Sequence, residues 1–180
     1  MCVICIKPAN VQLPNKQIIR AMAECNPDGF GFAATNGMNC KTMDFNTFYK
    51  SLKNVPASAA IIMHFRWATH GSTNVRNCHP FYDKETNVWF AHNGVLPINS
   101  TNDRTDSEIY FRSDLVPAIK KYGLASRDFD SVADRLRGTS RFAYMQGEQI
   151  YIQGDYYEHG GCYFSNLNWR YRLNVYRIAQ

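Results

Sequence analysis

Ala59-Ala60-Ile61-Ile62-Met63-His64-Phe65 runs without a break into Arg66-Trp67-Ala68-Thr69-His70-Gly71, and this stretch decides the fold. The first seven residues form a short apolar run, too brief for an ordinary helix and suited to a buried strand. Outward from it the chain carries the same signature several times. Strands are read at Cys2 to Ile6, Phe30 to Ala34 and Asn87 to Ala91. A helix follows Pro14 with Ile18, Met22 and Cys25 on one face, and Asn26-Pro27-Asp28-Gly29 makes a turn. Asp44 caps a second helix, whose Phe45, Phe48, Tyr49 and Leu52 fall at i, i+3, i+4 and i+7. Thr105-Asp106-Ser107-Glu108 is a capping box that opens a helix obliged to kink or restart at Pro117. Phe129, Val132, Ala133 and Leu136 mark another helix, ended by Gly138. Strands follow at Arg141 to Met145, Gln149 to Gln153 and Gly161 to Phe164, with a C-terminal strand in which Tyr171, Leu173 and Val175 alternate with polar neighbours. Strands at both ends with helices between predict a layered α+β domain over residues 1–180, its sheets packed face to face.

Composition narrows the function classes. The chain has 180 residues, 45% hydrophobic and 14% aromatic, which excludes disorder and fits one domain. No apolar run approaches the ~20 residues of a membrane span, and no basic-then-apolar leader is visible, so a soluble cytoplasmic protein is expected. The net charge of +5 is mild. Trp169-Arg170-Tyr171-Arg172 interleaves aromatic and basic residues, as single-strand binders do, but its alternation reads better as a half-buried strand than as a nucleic-acid surface. Six cysteines, at 2, 5, 25, 40, 78 and 162, read as free thiols.

Cys2 is the first candidate for chemistry. Removing Met1 would place a thiol and a free α-amine on one residue. That amine, with a reference pKa of ~7.7–8.0, suits a general base at neutral pH, so a single residue supplies nucleophile and base. Cys2-Val3-Ile4-Cys5 also admits a small buried hydrophobe at Cys2, or a four-ligand zinc site completed by Cys78 and His79. Arg66, at a strand end, can grip a carboxylate bidentately or pair with a surface acid. Trp67 can cover the site, with Thr69 and His70 in the same loop. His92-Asn93-Gly94 follows a strand too. The Asn93 amide and the Gly94 N–H can donate to an oxyanion, although Asn-Gly is equally the dipeptide of a tight hairpin turn. Asp106 can pair with a substrate ammonium or simply favour its helix N-terminus.

Taken together, Met1-Cys2, Arg66-Trp67-Ala68-Thr69-His70-Gly71, His79-Pro80, His92-Asn93-Gly94 and Thr105-Asp106-Ser107-Glu108 resemble the class II glutamine amidotransferases, which are N-terminal-nucleophile hydrolases. The hexapeptide from Arg66 is similar to the glutaminase domain of glucosamine-6-phosphate synthase. Asn26-Pro27-Asp28-Gly29-Phe30-Gly31 and Gly161-Cys162-Tyr163-Phe164-Ser165-Asn166 resemble the stand-alone members, γ-glutamyl hydrolases among them. The resemblance implies a four-layer αββα sandwich. It implies that Cys2 attacks the side-chain amide of L-glutamine or a related γ-glutamyl amide, with Asn93 and Gly94 as oxyanion hole. Arg66 would hold the α-carboxylate and Asp106 the α-ammonium, while Trp67, Thr69 and His70 shape the pocket. Neither metal nor organic cofactor is required. Val3 stands where the family usually has glycine, and Cys25-Asn26-Pro27 replaces an Arg-Gly pair whose arginine helps place the nucleophile in several members. At this length a glutaminase domain alone is expected, its ammonia passing to a separate synthase. The alternatives are a hydrolase of other γ-glutamyl or small amides, and a non-enzymatic interaction or nucleic-acid-binding protein on the same fold.

Overall fold

A computed structural model describes residues 1–68, 72–101 and 103–173. Two antiparallel sheets form the middle of the molecule. The first contains β1 (Val3–Lys7), β2 (Phe30–Ala34), β3 (Asn39–Thr42), β4 (Ile61–Phe65), β9 (Tyr157–His159) and β10 (Cys162–Phe164), in the order β3-β2-β4-β1-β10-β9. The second contains β5 (Phe81–Asp83), β6 (Val88–Asn93), β7 (Arg141–Gln146) and β8 (Gln149–Gln153), in that order. Every residue of β1, β2 and β4 is buried, because each of these strands is covered on both faces.

The side-chain period of two sorts these strands cleanly. Val3, Cys5, Phe30, Phe32, Met63 and Phe65 face outward onto helices α1 (Lys16–Cys25) and α2 (Phe45–Leu52), meeting Ile19, Met22, Phe48 and Leu52. Ile4, Ile6, Ala33 and Ile62 face inward and meet Ala91, Ala143 and Met145 of the second sheet. Three alanines in this middle layer let the sheets lie close. On the far side, Val88, Phe90, Phe142 and Tyr144 pack under α3 (Asp106–Tyr110), a π-helical turn (Phe111–Leu115), α4 (Val116–Tyr122) and α5 (Arg127–Arg137). The result is the αββα sandwich that the resemblance implies.

Local sequence explains most element ends. Asn15, Asp44, Thr105 and Ser126 each cap a helix by accepting a backbone N–H at the third helical position. The reciprocal half of the capping box is missing, since Glu108 Oε2 is buried with no partner among the described residues. The restart anticipated at Pro117 takes the form of the π-helical turn, with Pro117 then in the first turn of α4. Residues 170–173, expected within the C-terminal strand, are helical, and the remainder of that strand lies outside the described residues. Trp169 is the reason. Its ring is fully buried 5.0 Å from that of Phe164 and its Nε1 donates to the Asn166 carbonyl, so the chain turns inward where the strand pattern would have continued.

Candidate active site

Strand register builds the site. Val3 pairs with Phe65, so one step further Cys2 and Arg66 stand side by side at the same edge of the first sheet. The Arg66 N–H donates to Gly29 O and the Arg66 carbonyl accepts from Asp28 N, while Asp28 Oδ2 accepts from Ala68 N at 2.8 Å. The Asn-Pro-Asp-Gly turn therefore fixes the backbone from Arg66 to Ala68. Cys2 Sγ lies against that backbone, accepting from Trp67 N at 3.3 Å and donating to Trp67 O at 3.4 Å. Burial pushes the Cys2 thiol up, against the opposing pull of the Trp67 N–H, the N-terminal ammonium and the Arg66 guanidinium. A thiol of this kind rests protonated at neutral pH and needs a base to become a nucleophile.

Strand β6 brings the second sheet's contribution to the same edge. Cys2, Arg66, Trp67, Gly94 and Asp106 line one pocket, together with His79, His92, Thr105 and Ser107. Arg66 is only 3% exposed, which removes the surface-ion-pair reading, and its Nη1 donates to Ser72 O at 3.1 Å. Half of Trp67 remains exposed, at the mouth. Asp106 accepts from Leu96 N at 2.9 Å through Oδ2 and from Ser107 N at 2.7 Å through Oδ1. Gly94 has φ +152°, and an added Cβ would collide with the Ser140 side chain, so this position is open only to glycine. Asn93-Gly94 is not a hairpin turn: β6 pairs with β5 and β7, and Asn93 still belongs to the strand. The Asn93 side chain crosses the middle layer, where Nδ2 donates to Ser165 Oγ at 2.9 Å. Thr69 and His70 lie outside the described residues. The four-ligand zinc reading does not form. Cys5 packs in the outer core against the Cys162 thiol, and no group of three or more metal-ligating side chains converges among the described residues.

Several neighbours of the site belong to the sequence motifs and carry structural bonds. Ser165 pairs with β1 twice, its N donating to Ile4 O and its Oγ accepting from Ile4 N, both at 2.9 Å. Asn166 Nδ2 donates to the Cys2 carbonyl at 2.8 Å. The pair thus ties the residue at the head of β1 to the end of the neighbouring strand β10, and Ser165 ties Asn93 to both. His92 Nδ1 lies 2.7 Å from Ser107 Oγ, which also reaches Asp106 Oδ1 at 3.1 Å. His64 Nε2 faces the His92 carbonyl at 3.0 Å, and the His79 ring stacks edge-on against His64 at 4.2 Å. Burial drives His64 down to about 3 and His92 to about 4, so both are neutral when the protein is folded at neutral pH.

Comparison with known proteins speaks to the family and the fold. The family model described as glutamine amidotransferases class-II matches residues 19–152. The chain belongs to that family. This class II amidotransferase is 28% identical over 128 residues to the glutamine–fructose-6-phosphate aminotransferase (isomerizing) of Fusobacterium nucleatum, a match covering 64% of the chain and 21% of that protein. It is 34% identical over 107 residues to the same-named protein of Caulobacter vibrioides, covering 52% of the chain and 17% of that protein. The chain thus matches about a fifth of the length of these relatives. Among solved structures, the glutamine phosphoribosylpyrophosphate amidotransferase from B. subtilis superposes with a TM-score of 0.59 at 19% identity, over 91% of this chain and 41% of that one. At that identity the likeness speaks to fold: the amidotransferase has the two-sheet, helix-covered architecture of N-terminal-nucleophile enzymes. Among its described residues no helix is long and apolar enough to cross a membrane.

Proposed function

We propose that this class II amidotransferase hydrolyses the side-chain amide of glutamine through a thioester on Cys2 and releases ammonia to a separate acceptor enzyme. The observation that carries the reading is the convergence, in one pocket, of Cys2 with a buried cation at Arg66, a buried acid at Asp106 and the glycine N–H at Gly94. With Met1 removed, the Cys2 α-amine takes the thiol proton and the sulfur attacks the amide carbon. In this reading the Gly94 N–H and the second Nδ2 hydrogen of Asn93, whose first is held by Ser165, donate to the oxygen as it becomes an anion, and fixed donors of this kind lower the barrier without reorganising. The C–N bond breaks as the α-amine returns the proton to the leaving nitrogen. Water then attacks the thioester, glutamate leaves, and the thiol is restored.

Arg66 and Asp106 carry opposite charges at 3% and 6% exposure, complementary to the α-carboxylate and α-ammonium of a glutamyl group. That favours a glutamyl amide over a simple one. In this reading Trp67, Thr69 and His70 contribute to substrate binding. The cytoplasm suits a thiol enzyme whose six cysteines are all free. The test is intact mass after incubation with 6-diazo-5-oxo-L-norleucine. The expected result is a single adduct on protein that has lost Met1, and none on Cys2→Ala. Correctly processed protein that stays unmodified would overturn the assignment.

A further inference from the structure

The Asp106 carboxylate is oriented by the protein itself. Its Oδ2 accepts from Leu96 N, and its Oδ1 accepts from Ser107 N and from the Ser107 hydroxyl, the last at 3.1 Å. Two carboxylate oxygens offer about four acceptor sites. Three donors of the chain fill all but about one of them, which is left for a donor in the pocket that Asp106 lines. Behind the Ser107 hydroxyl stands His92, with Nδ1 2.7 Å from Ser107 Oγ. A carboxylate oxygen can only accept, so the single hydroxyl hydrogen goes to Asp106. The short contact then takes its hydrogen from the ring, which makes His92 the neutral Nδ1–H tautomer. The hydrogen bonds therefore run one way, from His92 Nδ1–H to the Ser107 hydroxyl to Asp106 Oδ1.

The ring at the head of this relay is itself anchored. The His92 carbonyl accepts from His64 Nε2 at 3.0 Å, and His92 pairs with Phe142 of β7. His92 Nε2 lies 2.9 Å from where a Cβ on Gly94 would stand, so the ring edge rests against Gly94. His92, Ser107 and Asp106 are all buried, where water competes little for their hydrogen bonds. The relay thus joins the end of β6 to the first turn of α3, two elements of different layers.

We infer that His92 and Ser107 are positioning residues for a substrate α-ammonium: their relay turns the Asp106 carboxylate so that its remaining acceptor site serves the pocket. The inference rests on the glutamyl reading of that pocket, in which Asp106 receives the ammonium, and adds two residues that act through Asp106. Bonds are made and broken at the γ-carbonyl, remote from the ammonium, so this contact is the same in the ground state and the transition state. A contact of that kind sets KM and leaves kcat alone.

The test follows glutamate release from L-glutamine by full-length protein shown by mass to lack Met1. Ser107→Ala removes the hydroxyl and should raise KM about ten-fold, the scale of one charge-assisted hydrogen bond, with kcat within about two-fold. Two substitutions of His92 separate the hydrogen bond from packing. His92→Leu fills the space without a donor and should raise KM about five-fold. His92→Asn packs worse, but its Nδ2–H can stand where Nδ1–H stood, so KM should remain within about two-fold of the parent. A merely structural role predicts the opposite order, with asparagine the more damaging. The His92 pair decides the matter where Ser107→Ala does not fold. An unchanged KM in Ser107→Ala and His92→Leu would overturn the inference and leave the glutaminase reading intact. So would a fall in kcat at constant KM, or asparagine ranking below leucine. A parent protein that neither releases glutamate nor forms the Cys2 adduct would overturn the glutaminase reading and this inference with it.

Discussion

Ser165 and Asn166 hold Cys2, the proposed nucleophile, in place at atomic scale, although neither is expected to touch substrate. Ser165 satisfies Ile4 N and Asn93 Nδ2 in a fully buried position, and Asn166 satisfies the Cys2 carbonyl. Ser165→Ala removes the partner of two buried N–H donors, so stability should drop by about 1–3 kcal/mol and kcat should fall with it, since Asn93 loses its tether. Asn166→Ala should cost about 1 kcal/mol of stability, because Oδ1 also accepts from Asn168 N, and lower kcat by about 10–100-fold at constant KM, because the placement of Cys2 is relaxed. Steady-state kinetics with thermal melts separates the two. A rise in KM without loss of kcat for either variant would contradict a positioning role. These residues illustrate what a linear reading sees and misses. Ser165-Asn166 was visible as part of a motif, but its hydrogen bonds reach back more than 160 positions to Cys2 and Ile4, and no local pattern carries that information.

Among the elements, the decisive one is the loop carrying His79, which enters between the sheets. Gly31 permits this. It lies on the inner face of β2 beside His64, and an added Cβ would collide with the His79 backbone carbonyl. Backbone cannot yield as a flexible side chain can, so Gly31→Ala should destabilise the fold by about 1–3 kcal/mol, as overpacking does, and should loosen the pocket wall at His79. A chemical denaturation midpoint equal to that of the parent would contradict the close approach. The long elements were legible because burial on one or both faces imposes a period: α1, α2, α5, β1, β2, β4 and β7 all fall where apolar spacing put them. Three short strands, β3, β5 and β9, escaped because edge strands of three or four residues are too short to show an alternation.

For the molecule as a whole, three neutral histidines clustered between and beside the sheets couple folding to pH. His64 and His92 are held down to about 3 and about 4, and His79 well below its ordinary value, all by burial. In the unfolded chain each titrates near ~6.5. Between that value and about 4 the unfolded state therefore binds protons that the folded state refuses, so stability is full above pH ~6.5 and is lost as pH falls. Each histidine contributes a slope of up to about 1.4 kcal/mol per pH unit. Denaturation midpoints should fall steeply from pH 7 to pH 5, and His64→Gln should flatten the dependence by about one histidine's share. A midpoint independent of pH over this range would contradict neutral burial. The amino-acid sequence by itself determined the layered class, the major helices and strands, and the identity of the residues suited to amide chemistry, because periodicity, caps and reactive side chains are local properties. Tertiary structure alone decided that Asn93-Gly94 ends a strand rather than turning a hairpin, that Trp169 diverts the C-terminal segment from the sheet, and that Cys2, Arg66, Gly94 and Asp106 share one pocket. Those outcomes depend on which strands pair and which faces are covered, and pairing between residues a hundred positions apart is fixed only when the whole chain buries its core at once.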